Sequence, residues 1–191
     1  MRNKIHKLEE CLVYSDSENP WVKIYFDKVN FPDGKTGRYN RIVEKDGLPG
    51  VAILPILNRD ICLVKQYRYP IQKFSWEIPR GFGDSRNSLS EAMRELYEET
   101  GILFKSDENS CDLSVVELGI VHPNSGLLAS EVKLFAAVCS NEQLETSPQD
   151  IEVIEKQWFS LESVLQKIKT SEITDSFTMA AIFKAQLLNL L

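Results

Sequence analysis

The sequence is poor in the residues that build most zinc and nucleophile sites, because its 191 residues include only two histidines and four cysteines. Cys11, Cys62, Cys111 and Cys139 form no CxxC pair and show no metal-ligand spacing, so a zinc site is not indicated. Cys62 and Cys139 lie in apolar runs, where a thiol packs as a small hydrophobe. We therefore expect four reduced cysteines and an intracellular, cytoplasmic protein.

Long apolar runs and basic clusters are also missing. No stretch approaches the roughly 18 apolar residues of a membrane span, and residues 1–10 lack the apolar core of a signal peptide. The formal net charge of −6 argues against nucleic acid as a partner. No GxSxG motif accompanies the histidines, so a serine triad is not indicated. A small anionic ligand is compatible with this charge, because a bound cation reverses the local sign.

The apolar patterns predict many strands, one central helix and two C-terminal helices, which is typical of a mixed sheet packed between helices. "PDGKTG" (32–37) is a hairpin signal, and "DGLPG" (46–50) is a plausible boundary between a small N-terminal β region (1–47) and a larger domain (48–191). Pro55 predicts an edge position or a bulge for its strand. The predicted strands are 21–26, 38–45, 51–57, 61–69, 74–79, 113–121, 132–139 and 151–159, and the predicted helices are 88–100, 161–169 and 176–190.

The central helix carries clear end signals. "SLSE" has the form of a capping box with Ser88 as N-cap and Glu91 at N3, and Gly101 is the expected residue after the last turn. Asp175 and Thr178 are interpreted as starting residues of the last helix. One face of the central helix is predicted to pack in the core, through Leu89, Ala92, Met93, Leu96 and Ile102.

The opposite face of this helix gathers four carboxylates, because residues three and four apart share a face. Glu91, Glu95, Glu98 and Glu99 repel one another, and the last two lie where the helix dipole disfavours negative charge. A divalent cation would compensate, and carboxylate oxygens suit Mg²⁺ and Mn²⁺. The alternative is a solvated acidic face, in which Arg94 pairs with Glu98 and Glu91 only caps the helix.

The segment "RELYEETGI" (94–102) matches the REUxEExGU half of the Nudix box, and the chain resembles Nudix hydrolases over about residues 48–191. The resemblance implies cleavage of a nucleoside diphosphate linked to another group, with Mg²⁺ as the usual cofactor. It also implies an α/β/α sandwich around a mixed sheet.

Carried over residue by residue, the resemblance assigns Glu95 and Glu99 as the principal metal ligands and Glu98 as an auxiliary ligand. Arg94 would orient a carboxylate through a charge-assisted hydrogen bond. The family also uses a main-chain carbonyl just before the first box glycine, which is that of Arg80 in this chain.

The upstream half of the box departs from the family pattern Gx5Ex7RE. The interval from Gly81 to Glu95 is one residue shorter than the pattern, and Arg86 stands where the first box glutamate belongs. Asp84 and Glu91 are the alternative carboxylates. The number of bound metal ions therefore stays open.

The segment "VKQYRYPIQKFSWEIPRGF" (64–82) resembles the approach to the box in the ADP-ribose pyrophosphatase branch. Arg68 matches an arginine that contacts substrate phosphates, and guanidinium grips phosphate oxygens bidentately. Glu77 matches the glutamate of the branch motif WELPAG. The side chain of Arg80 could reach a phosphate or a distal sugar, and Arg41 is a weaker candidate of the same kind. The alternative for these arginines is an exposed structural position.

The position of the general base departs from the branch pattern. Gln149 stands where the branch often supplies a glutamate, and an amide cannot act as a base. The nearby carboxylates are Glu142, Glu145 and Glu152. Glu98 of the box could complete the mechanism, because metal coordination lowers the pKa of water.

The resemblance predicts a Mg²⁺-dependent pyrophosphohydrolase that cleaves a nucleoside diphosphate sugar, with ADP-ribose as the first candidate and AMP and ribose 5-phosphate as its products. The N-terminal region (1–47) resembles the small domain that members of this branch exchange in a homodimer. One alternative is a nucleotide-binding sensor with little hydrolysis, which Arg86 and Gln149 favour. The other is a hydrolase that removes unwanted nucleoside triphosphates.

Overall fold

A computed structural model gives the fold of this chain. It describes residues 3–83, 85, 87–103, 114–139, 144–145 and 150–191, with only the backbone at 103, 144 and 145. The chain divides into two compact units, Met1–Leu48 with His122–Glu131, and Pro49–Val121 with Val132–Leu191.

The first unit contains a four-stranded antiparallel sheet centred on one long strand. Its strands are β1 (His6–Glu9), β2 (Leu12–Tyr14), β3 (Val22–Asn30) and β4 (Thr36–Glu44). The strand β3 pairs with the other three. Gly34 adopts a φ of 86° in the β3–β4 turn, and its N–H donates to the carbonyl of Phe31 at 2.9 Å. These contacts confirm the hairpin predicted at "PDGKTG".

The described residues of the second unit form a mixed seven-stranded sheet and a separate two-stranded pair. Their strands are β5 (Gly50–Leu57), β6 (Asp60–Arg68), β7 (Lys73–Glu77), β8 (Arg80–Phe82), β9 (Ile102–Leu103), β10 (Ser114–Val121), β11 (Val132–Cys139), β12 (Leu144–Glu145) and β13 (Val153–Ser160). The strand order of the main sheet is β10-β11-β5-β6-β13, while β7 pairs with β6 and β8 pairs with β5. The β11–β5 pair is parallel and the other pairs of this sheet are antiparallel.

Helices cover both faces of the main sheet, so its inner strands are apolar on both sides. These are α1 (Ser88–Thr100), α2 (Leu161–Lys169) and α3 (Ser176–Leu187). Along β5, Ile53 packs with α1 in one core, and Leu54 packs with α2 and α3 in the other. This arrangement confirms the predicted α/β/α sandwich around a mixed sheet.

The expectation of an edge position for Pro55 is wrong, because β5 lies inside the sheet. The N–H of Ile53 donates to the carbonyl of Pro79 at 2.9 Å, and the nitrogen of Pro55 points to the same side because strand geometry repeats every two residues. On that side β5 pairs with β8 over Gly50–Ala52 and with β6 over Ile56–Leu57. Pro55 falls between these two stretches, where its missing N–H costs no ladder bond.

The bounds predicted for α1 are confirmed, but its N-cap is Asn87 rather than Ser88. The Asn87 side chain accepts a hydrogen bond from the N–H of Ser90 at 3.3 Å, and Ser88 is the first helical residue. Both residue types are favoured N-caps, so the sequence does not choose between them. Gly101 adopts a φ of 68° after the last turn, as predicted. Leu89 is exposed instead of packing in the core, because the buried face of the helix runs through Ser88 and Ala92 at this end.

Among the described residues, Cys11, Cys62 and Cys139 take part in no disulfide bond, and Cys111 lies outside the described residues. Cys62 and Cys139 are buried, as expected. Among the described residues, no helix combines the length and the apolar character needed to cross a bilayer.

Candidate active site

Two buried carboxylates of α1 face the backbone of β8. Glu95 and Glu99 expose only 8% and 3% of their surface, although they lie one helical turn apart and carry like charge. A Cβ added at Gly81 would lie 2.2 Å from Oε1 of Glu95, so only glycine lets the helix approach the strand this closely. The N–H of Arg80 donates to Oε2 of Glu99 at 3.3 Å. Glu95 and Glu99, which were predicted to share one face of the helix, therefore pack against a strand rather than facing solvent.

Burial makes this pair unfavourable as two anions. Burial raises the pKa of Glu99 to about 8; the nearby amide of Gln66 lowers it, and the charge of Glu95 raises it further. The pKa of Glu95 is also raised, first by burial, with the charge of Glu98 adding to the effect and Arg94 opposing it. A cation placed between these carboxylates would relieve both costs.

Arg94 is the cation that the chain itself supplies. Its guanidinium donates to Glu91 at 3.1 Å, to Glu95 at 2.6 Å and to Glu98 at 2.5 Å. It also donates to the carbonyl of Phe82 at 3.4 Å. The sequence predicted one orienting contact for Arg94, and the structure gives it three carboxylates. Arg94 thus holds the acidic side chains toward the Gly81 strand and offsets part of their repulsion.

The donor set fits a hard divalent cation. Among the described residues, no three His, Cys, Asp or Glu side chains already converge in a metal-binding arrangement. The oxygen chemistry is nevertheless that of a Mg²⁺ site, because Glu95 and Glu99 are carboxylates whose burial disfavours their charge without a cation. Glu98 is more open than either, with 38% of its side chain exposed, which suits the auxiliary role predicted for it.

A second cluster joins the arginines that the sequence predicted separately. Glu77 is 2% exposed and accepts from Nη2 of Arg68 at 2.6 Å and from Nε of Arg80 at 2.9 Å. Burial opposes the charge of Glu77, but the two guanidinium groups outweigh it and lower its pKa. Glu77 therefore stays ionised and fixes two arginines side by side, a positioning role that its match to the branch motif did not reveal.

Both arginines line an open cavity of about 310 Å³, together with Glu77 and Asp175. Asp175 is the N-cap of α3, as predicted, and it also lies 3.7 Å from Arg80. Thr178, on the first turn of α3, accepts a hydrogen bond from the N–H of Ile78 at 2.9 Å. The start of α3 is thus tied to the segment that leads into β8, a link between residues 100 positions apart that no local pattern could show.

Comparison with known proteins identifies the family. Residues 47–180 match the NUDIX domain. The chain belongs to the Nudix family. It is 32% identical over 170 residues, 87% of this chain and 85% of the relative, to a methanol dehydrogenase activator of Bacillus methanolicus. It is 28% identical over 170 residues, again 87% of this chain and 85% of the relative, to an ADP-ribose pyrophosphatase of Bacillus subtilis strain 168.

Two further comparisons support the hydrolase class and the fold of this Nudix chain. An ADP-sugar pyrophosphatase of Mus musculus is 34% identical over 111 residues, which cover 52% of this chain and 49% of the mouse protein. A crystal structure of an ADP compounds hydrolase superposes with a TM-score of 0.75, covering 97% of this chain and 94% of that chain at 16% identity. At that identity the superposition shows the fold alone. Together the comparisons confirm the predicted Nudix family and the hydrolase class.

Arg41 lies in the first unit, outside the Nudix box and its strands. It donates to Asp27 at 2.8 Å and to Glu10 at 2.9 Å, and its guanidinium stacks 4.1 Å from the ring centre of Tyr25. These contacts give Arg41 a structural role in its own unit. Its predicted role in substrate binding stays a prediction.

Several predicted loop positions lie outside the described residues. These include Asp84, the alternative carboxylate of the box loop, and Glu142. They also include Arg86 and Gln149, on which the sensor alternative depends. Asp150 directly follows Gln149, and its N–H donates to the carbonyl of Glu98 at 3.0 Å. The sequence did not indicate this contact.

Of the remaining two carboxylates predicted near the base position, Glu152 has a described side chain and Glu145 does not. Glu145 is described by its backbone only, in the short pair of β12 with β9. Glu152 is exposed, and its N–H donates to the carboxylate of Asp150 at 2.8 Å. Among the candidates with a described side chain, Glu98 is the carboxylate on the Nudix helix itself.

Proposed function

We propose that this Nudix protein is a Mg²⁺-dependent pyrophosphohydrolase whose substrate is a nucleoside diphosphate sugar, with ADP-ribose split into AMP and ribose 5-phosphate. The buried pair Glu95 and Glu99, set against the backbone at Gly81, is the observation that carries the proposal. The adjacent cavity supports it by offering two arginines, Arg68 and Arg80, to an anionic ligand. The similarity to proteins named ADP-ribose and ADP-sugar pyrophosphatase supports the choice of substrate.

The cation would be held by Glu95 and Glu99, with Glu98 as the auxiliary carboxylate and the main-chain carbonyl of Arg80 as a further oxygen. When bound, Mg²⁺ or Mn²⁺ neutralises charge on phosphate oxygens and favours ionisation of the attacking water. Arg94 positions these carboxylates through its hydrogen bonds to Glu95 and Glu98.

The other residues bind the substrate and move the proton. Arg68 uses Nε and Nη2 for Glu77, so its Nη1 is not bonded to that carboxylate and can donate to a phosphate oxygen. Arg80, fixed by Glu77 and beside Asp175, donates to the second phosphate or to hydroxyls of the distal sugar. Glu98 accepts the proton of the attacking water, because its half-open carboxylate can leave Arg94 at small cost.

A substrate panel tests this proposal. With Mg²⁺ present, ADP-ribose and other nucleoside diphosphate sugars are expected to be cleaved to a nucleoside monophosphate, and nucleoside triphosphates far more slowly. The products are separated by ion-exchange chromatography and quantified against time. Preferred cleavage of triphosphates would instead support the sanitising alternative, and tight ADP-ribose binding without products would support a sensor.

We further propose a cytoplasmic homodimer that forms through the N-terminal β region (1–47), with Arg41 contributing to the substrate site. The exposed apolar side chains of that region support an interface, among them Leu12, Val13 and Trp21. Light scattering on the purified protein is expected to give the mass of two chains. A mass of one chain at all concentrations would contradict the dimer.

A further inference from the structure

Gln66 carries a buried side-chain amide on β6. It lies on β6 and is only 1% exposed, and neither its Nε2 nor its Oε1 has a hydrogen-bond partner among the described residues. Buried polar groups are almost always paired, because losing water without a replacement partner is costly. Its neighbours on the same strand face, Cys62 and Val64, are buried as well. An apolar side chain of similar size would therefore fit this place at lower cost.

The position of Gln66 points its amide toward the carboxylate pair. Residues opposite each other in an antiparallel pair share a face, and Gln66 lies opposite Ser75 while Val64 lies opposite Glu77. Gln66 is therefore on the face that carries Glu77, the face that β6 presents to the α1 side of the sheet. The Glu99 carboxylate lies within interacting range of the Gln66 amide, although the two do not meet hydrogen-bond geometry in this structure.

We propose that Gln66 is a positioning residue for Glu99, whose amide N–H donates to the Glu99 carboxylate when that carboxylate binds the divalent cation. The inference rests on the proposed function, because it takes Glu99 as a metal ligand. Oε2 of Glu99 already accepts from the N–H of Arg80. A second donor would hold the plane of the carboxylate and leave its remaining lone pairs to the cation. Such outer contacts of metal ligands commonly control metal affinity.

A purely structural role for Gln66 makes the opposite prediction. If the amide only fills space, an isosteric apolar residue should leave cation binding unchanged. If the amide positions Glu99, the same replacement should weaken cation binding while the metal-free fold is retained or stabilised, since an unpaired polar group leaves the core. Cation affinity and thermal stability therefore move in different directions only in the positioning case.

The test compares Mn²⁺ binding to the full-length protein without substrate, followed by electron paramagnetic resonance of the free ion. Gln66→Met is the test variant, and Gln66→Leu is a second apolar replacement. Gln157→Met is the matched control, because Gln157 is exposed on the neighbouring strand β13. We expect the Kd for Mn²⁺ to rise about 10-fold or more for the Gln66 variants, with a Tm in EDTA equal to or above that of the wild type. The control should keep both values.

The outcomes separate this inference from the function on which it rests. Wild-type affinity for Mn²⁺ in either folded Gln66 variant would overturn the positioning role and leave Glu99 as a ligand. Loss of folding in both variants would show a structural role and would also overturn it. Absence of Mn²⁺ binding by the wild-type protein would refute the metal site itself, and the inference with it.

Discussion

Glu99→Gln is expected to lower kcat by about three powers of ten or more while leaving the fold intact, because it removes a charged metal ligand without changing its shape. Glu99 is the more buried of the two carboxylates that face β8. Burial already disfavours its charge, so a neutral amide should be tolerated there. Initial rates with ADP-ribose and circular dichroism of the same samples measure the two effects.

The same substitution should remove a pH dependence of stability in the metal-free protein. The folded-state pKa of Glu99 is raised to about 8, whereas the pKa of a glutamate in the unfolded chain is about 4.3. Between these values the folded state binds more protons than the unfolded state, so the free energy of unfolding falls as pH rises. Denaturant unfolding in EDTA across this range should show the decline for the wild type and a weaker one for Glu99→Gln.

A matched control keeps the Glu99 result interpretable. Glu162→Gln makes the same chemical change in the first turn of α2, where the side chain is exposed. This control should keep wild-type kcat and the wild-type pH profile. Undiminished turnover in Glu99→Gln would remove Glu99 from the active site.

Gly81→Ala should have the second large effect, through a steric clash with the other carboxylate. The added Cβ would lie 2.2 Å from Oε1 and 2.4 Å from Cδ of Glu95, so the side chain or the helix must move. A displacement of about 1 Å at a reacting centre costs on the order of 10²-fold in rate. Overpacking of this kind typically destabilises a protein by about 1–3 kcal/mol. Steady-state kinetics and denaturant unfolding measure the two losses.

Gly126→Ala is the matched control for this clash. Among the described residues, a Cβ at Gly126 would meet only Oδ1 of Asn124, at an ordinary 3.6 Å. We expect wild-type activity and stability from this control. If Gly81→Ala also behaved like the wild type, the close approach of Glu95 to the strand would have no functional meaning.

Much of the fold could be predicted from local patterns, because those patterns reflect forces that act within one element. The apolar run at 51–57 predicted the strand β5, and the spacing of Glu95 and Glu99 predicted a shared helix face. The edge position expected for Pro55 was wrong because β5 lies inside the sheet. Pro55 is tolerated there because β8 and β6 pair with different parts of one side of β5 and leave Pro55 between them. Neither neighbour can be inferred from Pro55 itself.

The arrangement of the site could be predicted only in part, for the same reason. Arg68, Glu77 and Arg80 were each singled out by motif. Their grouping around one buried carboxylate depends on the β6–β7 register and on the turn that follows β7. Asp175 joins this group from the distant start of α3. Gln66 lies in the segment that resembles the ADP-ribose pyrophosphatase branch, but no role was predicted for it, since a polar residue on a strand is usually exposed and only the packed structure shows it buried.

The most direct test of the account is whether a divalent cation binds between Glu95 and Glu99 and enables diphosphate cleavage. Wild-type protein and Glu99→Gln are titrated with Mg²⁺ after treatment with EDTA, with Tm and ADP-ribose cleavage measured at each step. The account predicts that EDTA abolishes cleavage, and that Mg²⁺ restores it and raises the Tm of the wild type but not of the variant. Cleavage that persists in EDTA, or a Tm that Mg²⁺ raises equally in both proteins, would contradict it.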